Sequence, residues 1–296
     1  MTTVAVTKSE KPNTNTWTYL LLTTLFSSFF YFLIIKSGQL AGGNRFYVLG
    51  LMWCPGLAAL LTLKLNKRSF SELGWSLGDN KYLLQSYLVP FLYTLMTYVI
   101  IWTLGLGAFY NEETTNKWIE AFGLGDIPAW QAIALYLFFA STLGIIRSVG
   151  ALGEEIGWRG FLVPELSKRF SFTATSIITG IVWSLYHYPI LIFADYNSGT
   201  PAWYGLTCFT IMVISSCFIY TWFRIKSGSL WTGAIIHASH NLFIQVIFTP
   251  LTADTGNTKY IVDEFGVGLA ISSVIFGFYF WTRRKELTSY DRTKLV

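Results

Sequence analysis

The sequence predicts an all-α integral membrane protein, a bundle of about eight transmembrane helices with both termini on the cytoplasmic side. Three observations predict it. Hydrophobic residues make up 53% of the 296 positions and charged residues 12%, a balance that excludes an ordinary soluble domain. The apolar residues fall in runs near the ~20 residues that a helix rising ~1.5 Å per residue needs to cross ~30 Å of hydrocarbon. The basic residues gather in alternate connections between those runs.

Taken in order, the runs occupy residues 17–35, 46–63, 82–109, 130–147, 171–193, 203–223, 230–248 and 265–282. Residues 1–16 form a polar tail, 17–282 one membrane domain with its motif core at 150–245, and 283–296 a basic tail. No small-residue cleavage site follows the first run, so the first segment is expected to be retained. Lys8, Lys11, Lys64, Lys67, Arg68, Lys81, Arg159, Lys168, Arg169, Arg224, Lys226, Arg283, Arg284, Lys285 and Arg292 then fall on one side. That side is expected to be cytoplasmic. The opposite connections carry Glu112, Glu113, Glu120, Asp126, Asp195, Asp254, Asp263 and Glu264, with Lys36 and Arg45 the main exceptions.

The formal net charge of +5 is therefore a topology signal, and the bilayer rather than a nucleic acid is the expected partner. Trp17, Trp75, Trp118, Trp130, Trp203 and Trp281 lie near segment ends, where indole rings favour the headgroup layer. Cys54, Cys208 and Cys217 sit in apolar stretches without a CxxC pair and read as small core residues. Residues 69–78 fit either a short interfacial helix or an amphipathic connector. Residues 151–166 are expected to prolong the fourth helix.

Ionisable groups inside spanning segments cost several kcal/mol unless they face a cavity or a partner, so each is a functional candidate. All three histidines, His187, His237 and His240, fall in predicted spans. Trp183 and His187 are four apart and share a helix face, as do His237 and Asn241. Upstream lies Gly153-Glu154-Glu155-Ile156-Gly157-Trp158-Arg159-Gly160. Glu155 and Arg159 have the i, i+4 spacing of an ion pair, whereas Glu154 points ~100° away, so the two carboxylates are expected to do different jobs. Gly150, Gly153, Gly157 and Gly160 form a small-residue stripe that lets a helix approach closely, within this chain or between chains. Singly, each feature has a plain structural reading: a histidine bonded to a neighbouring helix, or a solvated charged turn. In combination they favour chemistry.

Glu154-Glu155-x-x-x-Arg159, an aromatic-x-x-x-His187 and His237-x-x-x-Asn241, in that order, resemble the CAAX protease and bacteriocin-processing family, also called Abi. The resemblance implies an intramembrane glutamic endopeptidase acting on a membrane-associated, in some members lipidated, peptide or protein. It implies that Glu154 and His187 activate water, that His237 and Asn241 stabilise the oxyanion, and that Glu155 and Arg159 support them. Trp183 stands where the family often has Phe and is expected to keep an aromatic wall. His240 receives no role. No cofactor is expected, and the rival reading places zinc on Glu154, His187 and His237. A further rival is a non-proteolytic immunity, scaffold or transport protein, against which stands the lack of an inverted repeat. A bacterial plasma membrane and an endoplasmic reticulum fit equally.

Overall fold

A computed structural model describes residues 14–37, 45–123, 125, 127–194 and 196–288, without the side chains of Thr14 and residues 140–148. Lys8, Lys11, Asp126, Asp195 and Arg292 lie outside the described residues, as does the side chain of Arg147. The helices are α1 (Thr14–Ser37), α2 (Arg45–Leu65), α3 (Asn80–Thr103), α4 (Glu112–Ala121), α5 (Ala129–Glu155), α6 (Val163–Ser167), α7 (Phe172–Phe193), α8 (Ala202–Ser227), α9 (Leu230–Asn241), α10 (Thr249–Leu251) and α11 (Val267–Thr282). Two π-helical segments, Ile156–Leu162 and Leu242–Phe248, join α5 to α6 and α9 to α10. The only β structure among the described residues is a two-residue pairing of β1 (Ala108–Phe109) with β2 (Thr252–Ala253), which ties the end of α3 to that of α10.

Among the described residues, six helical stretches are long and apolar enough to cross a membrane, and each coincides with an expected span. α11 has 16 residues before its basic end, and residues 140–148 of α5 carry no described side chains. The third span stops at Thr103, six residues short of the expected end at 109. Leu104 caps α3 and Gly105 follows at φ +68°, a left-handed turn that a helix cannot continue through. The apolar residues beyond it, Ala108 and Phe109, go to the β1 strand instead. The stretch 69–78 folds as one 3₁₀ turn, Phe70–Leu73, rather than a helix of its full length. Ser69 and Glu72 close a capping box and Gly74 ends the turn at φ +84°, so nothing is left to propagate it.

Buried share places the core. Only 22% of the apolar window of α1 is buried, against 61% for α8 and for 230–251, so α1 is a lipid-facing helix and α8 and α9 are central. Leu21, Leu25, Phe29 and Phe32 accordingly point outward from α1. The glycine stripe packs within the chain, Gly150, Gly153 and Gly157 against α2 and Gly160 against Leu73. A Cβ on Gly153 would stand 2.9 Å from the Met52 carbonyl oxygen, and one on Gly157 would stand 2.5 Å from Pro55 Cβ. That contact seats the carboxylate-bearing turn beside α2. Buried Arg224, at the far end of α8, donates to the carbonyls of Arg159, Gly228 and Leu73 and so fastens the same turn to the loop after α2. Cys54, Cys208 and Cys217 are buried and free, as expected.

Candidate active site

The motif residues of the sequence meet at one cavity. It holds about 250 Å³, against roughly 30 Å³ for a liquid water molecule, and Glu154, Trp183, His187, His237 and Asn241 all line it. α5 delivers Glu154 at its last turn, α7 delivers Trp183 and His187, and α9 delivers His237 and Asn241. Each π-helical segment begins directly after a motif residue, Glu155 in one case and Asn241 in the other. π segments are often found at functional sites.

Glu154 is 2% exposed. Its Oε2 accepts from the indole N–H of Trp183 at 2.8 Å and from that of Trp158 at 3.2 Å. Two donors on one oxygen fix the carboxylate plane and leave Oε1 free of any described partner. Trp183 was expected to supply only an aromatic wall, but its N–H also holds Glu154. Phenylalanine cannot do this.

Glu155 points elsewhere, as the 100° step requires. Its Oε1 accepts from Arg159 Nη1 at 2.9 Å and lies 3.0 Å from His237 Nδ1, all three groups being buried. The Arg159 guanidinium sits 4.2 Å from the Trp183 ring centre and 3.8 Å from that of Tyr220. It also reaches Cys217 Sγ at 3.6 Å. Oε2 of Glu155 and Nε of Arg159 are buried without a described hydrogen-bond partner. A buried pair of this kind is weak evidence for stability, because desolvation offsets most of the attraction. Its visible consequence is orientation: the Glu155 carboxylate sets the His237 ring.

His187 Nδ1 lies 3.0 Å from the Trp183 carbonyl oxygen, an arrangement in which Nδ1 carries the proton and donates it. In a neutral ring this tautomer leaves the lone pair on Nε2. The ring packs between Trp183 and Phe209, with centre distances of 6.1 and 5.2 Å. Asn241 faces the cavity and makes no side-chain hydrogen bond among the described residues.

One network went unread in the sequence. His240 Nδ1 bonds the Tyr93 hydroxyl from α3, and its Nε2 lies 3.1 Å from Glu264 Oε1. Glu264 Oε2 accepts from Tyr196 Oη at 3.2 Å, and Gln245 Nε2 donates to that same oxygen of Tyr196 at 3.3 Å. Glu264, counted above among the outer loop charges, is 5% exposed and lines the cavity. The only sequence signal was a histidine in an apolar segment; the partner lies 24 residues on, past a loop whose path the sequence does not reveal.

Among the described residues no three His, Cys, Asp or Glu side chains are grouped as a metal ion requires.

The family model described as type II CAAX prenyl endopeptidase Rce1-like matches residues 130–243, the stretch that carries every motif residue. CAAX prenyl protease 2 of Methanococcus maripaludis is 28% identical over 238 residues, covering 76% of this chain and 80% of that protein. The motif residues thus line one cavity inside a multi-pass helical bundle, and over the stretch that carries them the chain is similar to Rce1-like type II CAAX prenyl endopeptidases.

Proposed function

We propose that the chain hydrolyses a peptide bond of a prenylated, membrane-associated protein by a glutamic, metal-independent mechanism. The observation that carries this reading is the convergence of Glu154, His187, His237 and Asn241 on one cavity from three helices. A water held between Glu154 and His187 Nε2 attacks the scissile carbonyl carbon, and Glu154 Oε1 takes its proton. The carbonyl oxygen becomes an oxyanion, for which the Asn241 amide is the neutral donor. His237 gives Nδ1–H to Glu155, so it donates from Nε2 only as an imidazolium, and the Glu155 carboxylate stabilises that form. The C–N bond then breaks, the amine leaves with the proton from Glu154, and a new carboxyl group remains. Each preorganised oxyanion donor is worth roughly 100- to 1000-fold in turnover.

The prenyl group enters the proposal from the name of the Methanococcus maripaludis relative. Val48, Leu51 and Met52 of α2 supply an apolar wall beside Glu154 that suits a hydrocarbon chain. Mass spectrometry of the products made by purified, bilayer-embedded protein tests this reading. A farnesylated peptide ending in Cys-aliphatic-aliphatic-X is expected to be cut after the cysteine, at least about tenfold faster than its unmodified counterpart. Equal rates would remove the prenyl group from the proposal. Stoichiometric zinc whose removal stops cleavage would remove the glutamic mechanism.

A further inference from the structure

Glu264 is a second carboxylate in the cavity wall and has no task in the hydrolysis just described. The chain bends sharply to put it there. Asp263 adopts φ +66°, a left-handed conformation uncommon for any residue but glycine, and a Cβ on Gly266 would stand 2.2 Å from the Val262 carbonyl oxygen. Strain of this kind persists where the surroundings hold it and is common at functional sites. Here it is held by Ser198 Oγ donating to Asp263 Oδ2 at 2.7 Å and by the Asp263 N–H donating to Tyr98 Oη at 3.1 Å.

The partners of Glu264 orient it. The Tyr93 hydroxyl bonds Nδ1 of His240, and Nε2 of His240 lies 3.1 Å from Glu264 Oε1. Tyr196 is a neutral donor. Burial opposes ionisation of Glu264, yet the hydrogen bond and proximity of His240 outweigh it and hold the carboxyl below its ordinary range. No Lys or Arg lines the cavity among the described residues, and the guanidinium of Arg159 is paired with Glu155. A carboxylate has about four lone-pair positions, and two of those on Glu264 are used.

We infer that Glu264, oriented by His240 and Tyr196, is a specificity-determining residue that seats a positively charged substrate group, a lysine or arginine side chain or a free ammonium, close to the scissile bond. This rests on the proposal that a peptide is cut in this cavity, but not on the identity of its lipid. The same carboxylate disfavours substrates that bring a second negative charge to that wall.

The test uses the full-length protein in lipid nanodiscs and N-acylated hexapeptides carrying Lys, norleucine or Glu at one position in turn. Binding is read from intrinsic tryptophan fluorescence, to which Trp183 of the cavity wall contributes, and cleavage from mass spectrometry, so a failure of the peptidase reading shows as binding without cleavage. At one position at least, the Lys peptide is expected to bind at least about tenfold more tightly than the norleucine peptide, with the Glu peptide weakest, as expected for one charge pair at a partly buried site. In Glu264→Gln the Lys-to-norleucine ratio should fall toward one, and in Glu264→Lys the Glu peptide should bind most tightly. Wild-type protein that ranks Lys no higher than norleucine at every position overturns the inference. So does a Glu264→Gln protein, folded by its thermal transition, that keeps the wild-type ratio.

Discussion

At the scale of single residues, the proposed chemistry divides between groups that would touch the reacting atoms and groups that aim them. Members of the first set were legible in the sequence as candidates, because i, i+4 spacing on a helix puts His187 on the face of Trp183 and His237 on that of Asn241. The second set stayed hidden because it depends on contacts between helices. Trp183 is the clearest instance: a ring in the sequence, but a donor to Glu154 in space at 2.8 Å. Trp183→Phe keeps the stacking surface for Arg159 and leaves Glu154 with the longer 3.2 Å bond from Trp158 alone. A hydrogen bond to a charged group is worth about 1.5–3 kcal/mol, and part of that serves to orient the base. Turnover is expected to fall about tenfold with little change in KM, and steady-state kinetics on one peptide checks it. Unaltered turnover would reduce Trp183 to packing.

At the scale of elements, apolar run length revealed the long helices, and their capping residues lie where the chain shows them: Asp79 before α3, Ser171 before α7, Ser229 before α9 and Gly228 after α8. Run length alone could not foresee the early stop of α3, since Leu104 and Leu106 prolong the apolar pattern while Gly105 turns the backbone. Nor could it foresee the π segments, because one extra residue in a turn leaves no mark on hydropathy. The glycine stripe was legible as a packing face, and the structure supplies its partner, α2. Gly157→Val tests that contact, because the new Cβ would meet Pro55 Cβ at 2.5 Å and the Tyr19 hydroxyl at 2.6 Å. Overpacking of this kind typically costs about 1–3 kcal/mol, so the thermal midpoint in detergent should drop clearly below wild type. A midpoint equal to wild type would mean that α2 and the turn are less tightly apposed than described.

At the scale of the whole molecule, charge and apolar surface divide the roles of the two faces and the middle. The basic face carries a small network: Arg68 reaches Glu72 at 2.6 Å and Glu165 at 2.8 Å, and Lys168 reaches Glu165 at 2.7 Å. Partial burial opposes ionisation of Glu72, but Arg68 more than offsets it and holds the carboxyl below its ordinary value of 4.5. A depressed folded value means that the stabilisation is complete above pH 4.5 and is lost as pH falls through the lower value. Arg68→Ala should therefore lower the thermal midpoint at pH 7 and leave a much smaller difference at pH 3. A difference that does not depend on pH would show that Arg68 acts through its packing over Phe161 instead. Between the faces, the apolar bundle holds a cavity to which three helices bring a carboxylate, two imidazoles and an amide. The most direct measurement of what that assembly does is the single-turnover rate of lipopeptide cleavage by purified wild-type and Glu154→Gln protein in nanodiscs. The account expects the glutamine protein, folded and binding peptide, to be slower by at least about 1000-fold, since it lacks the base that takes the proton from water. Cleavage at the wild-type rate by that protein would contradict it.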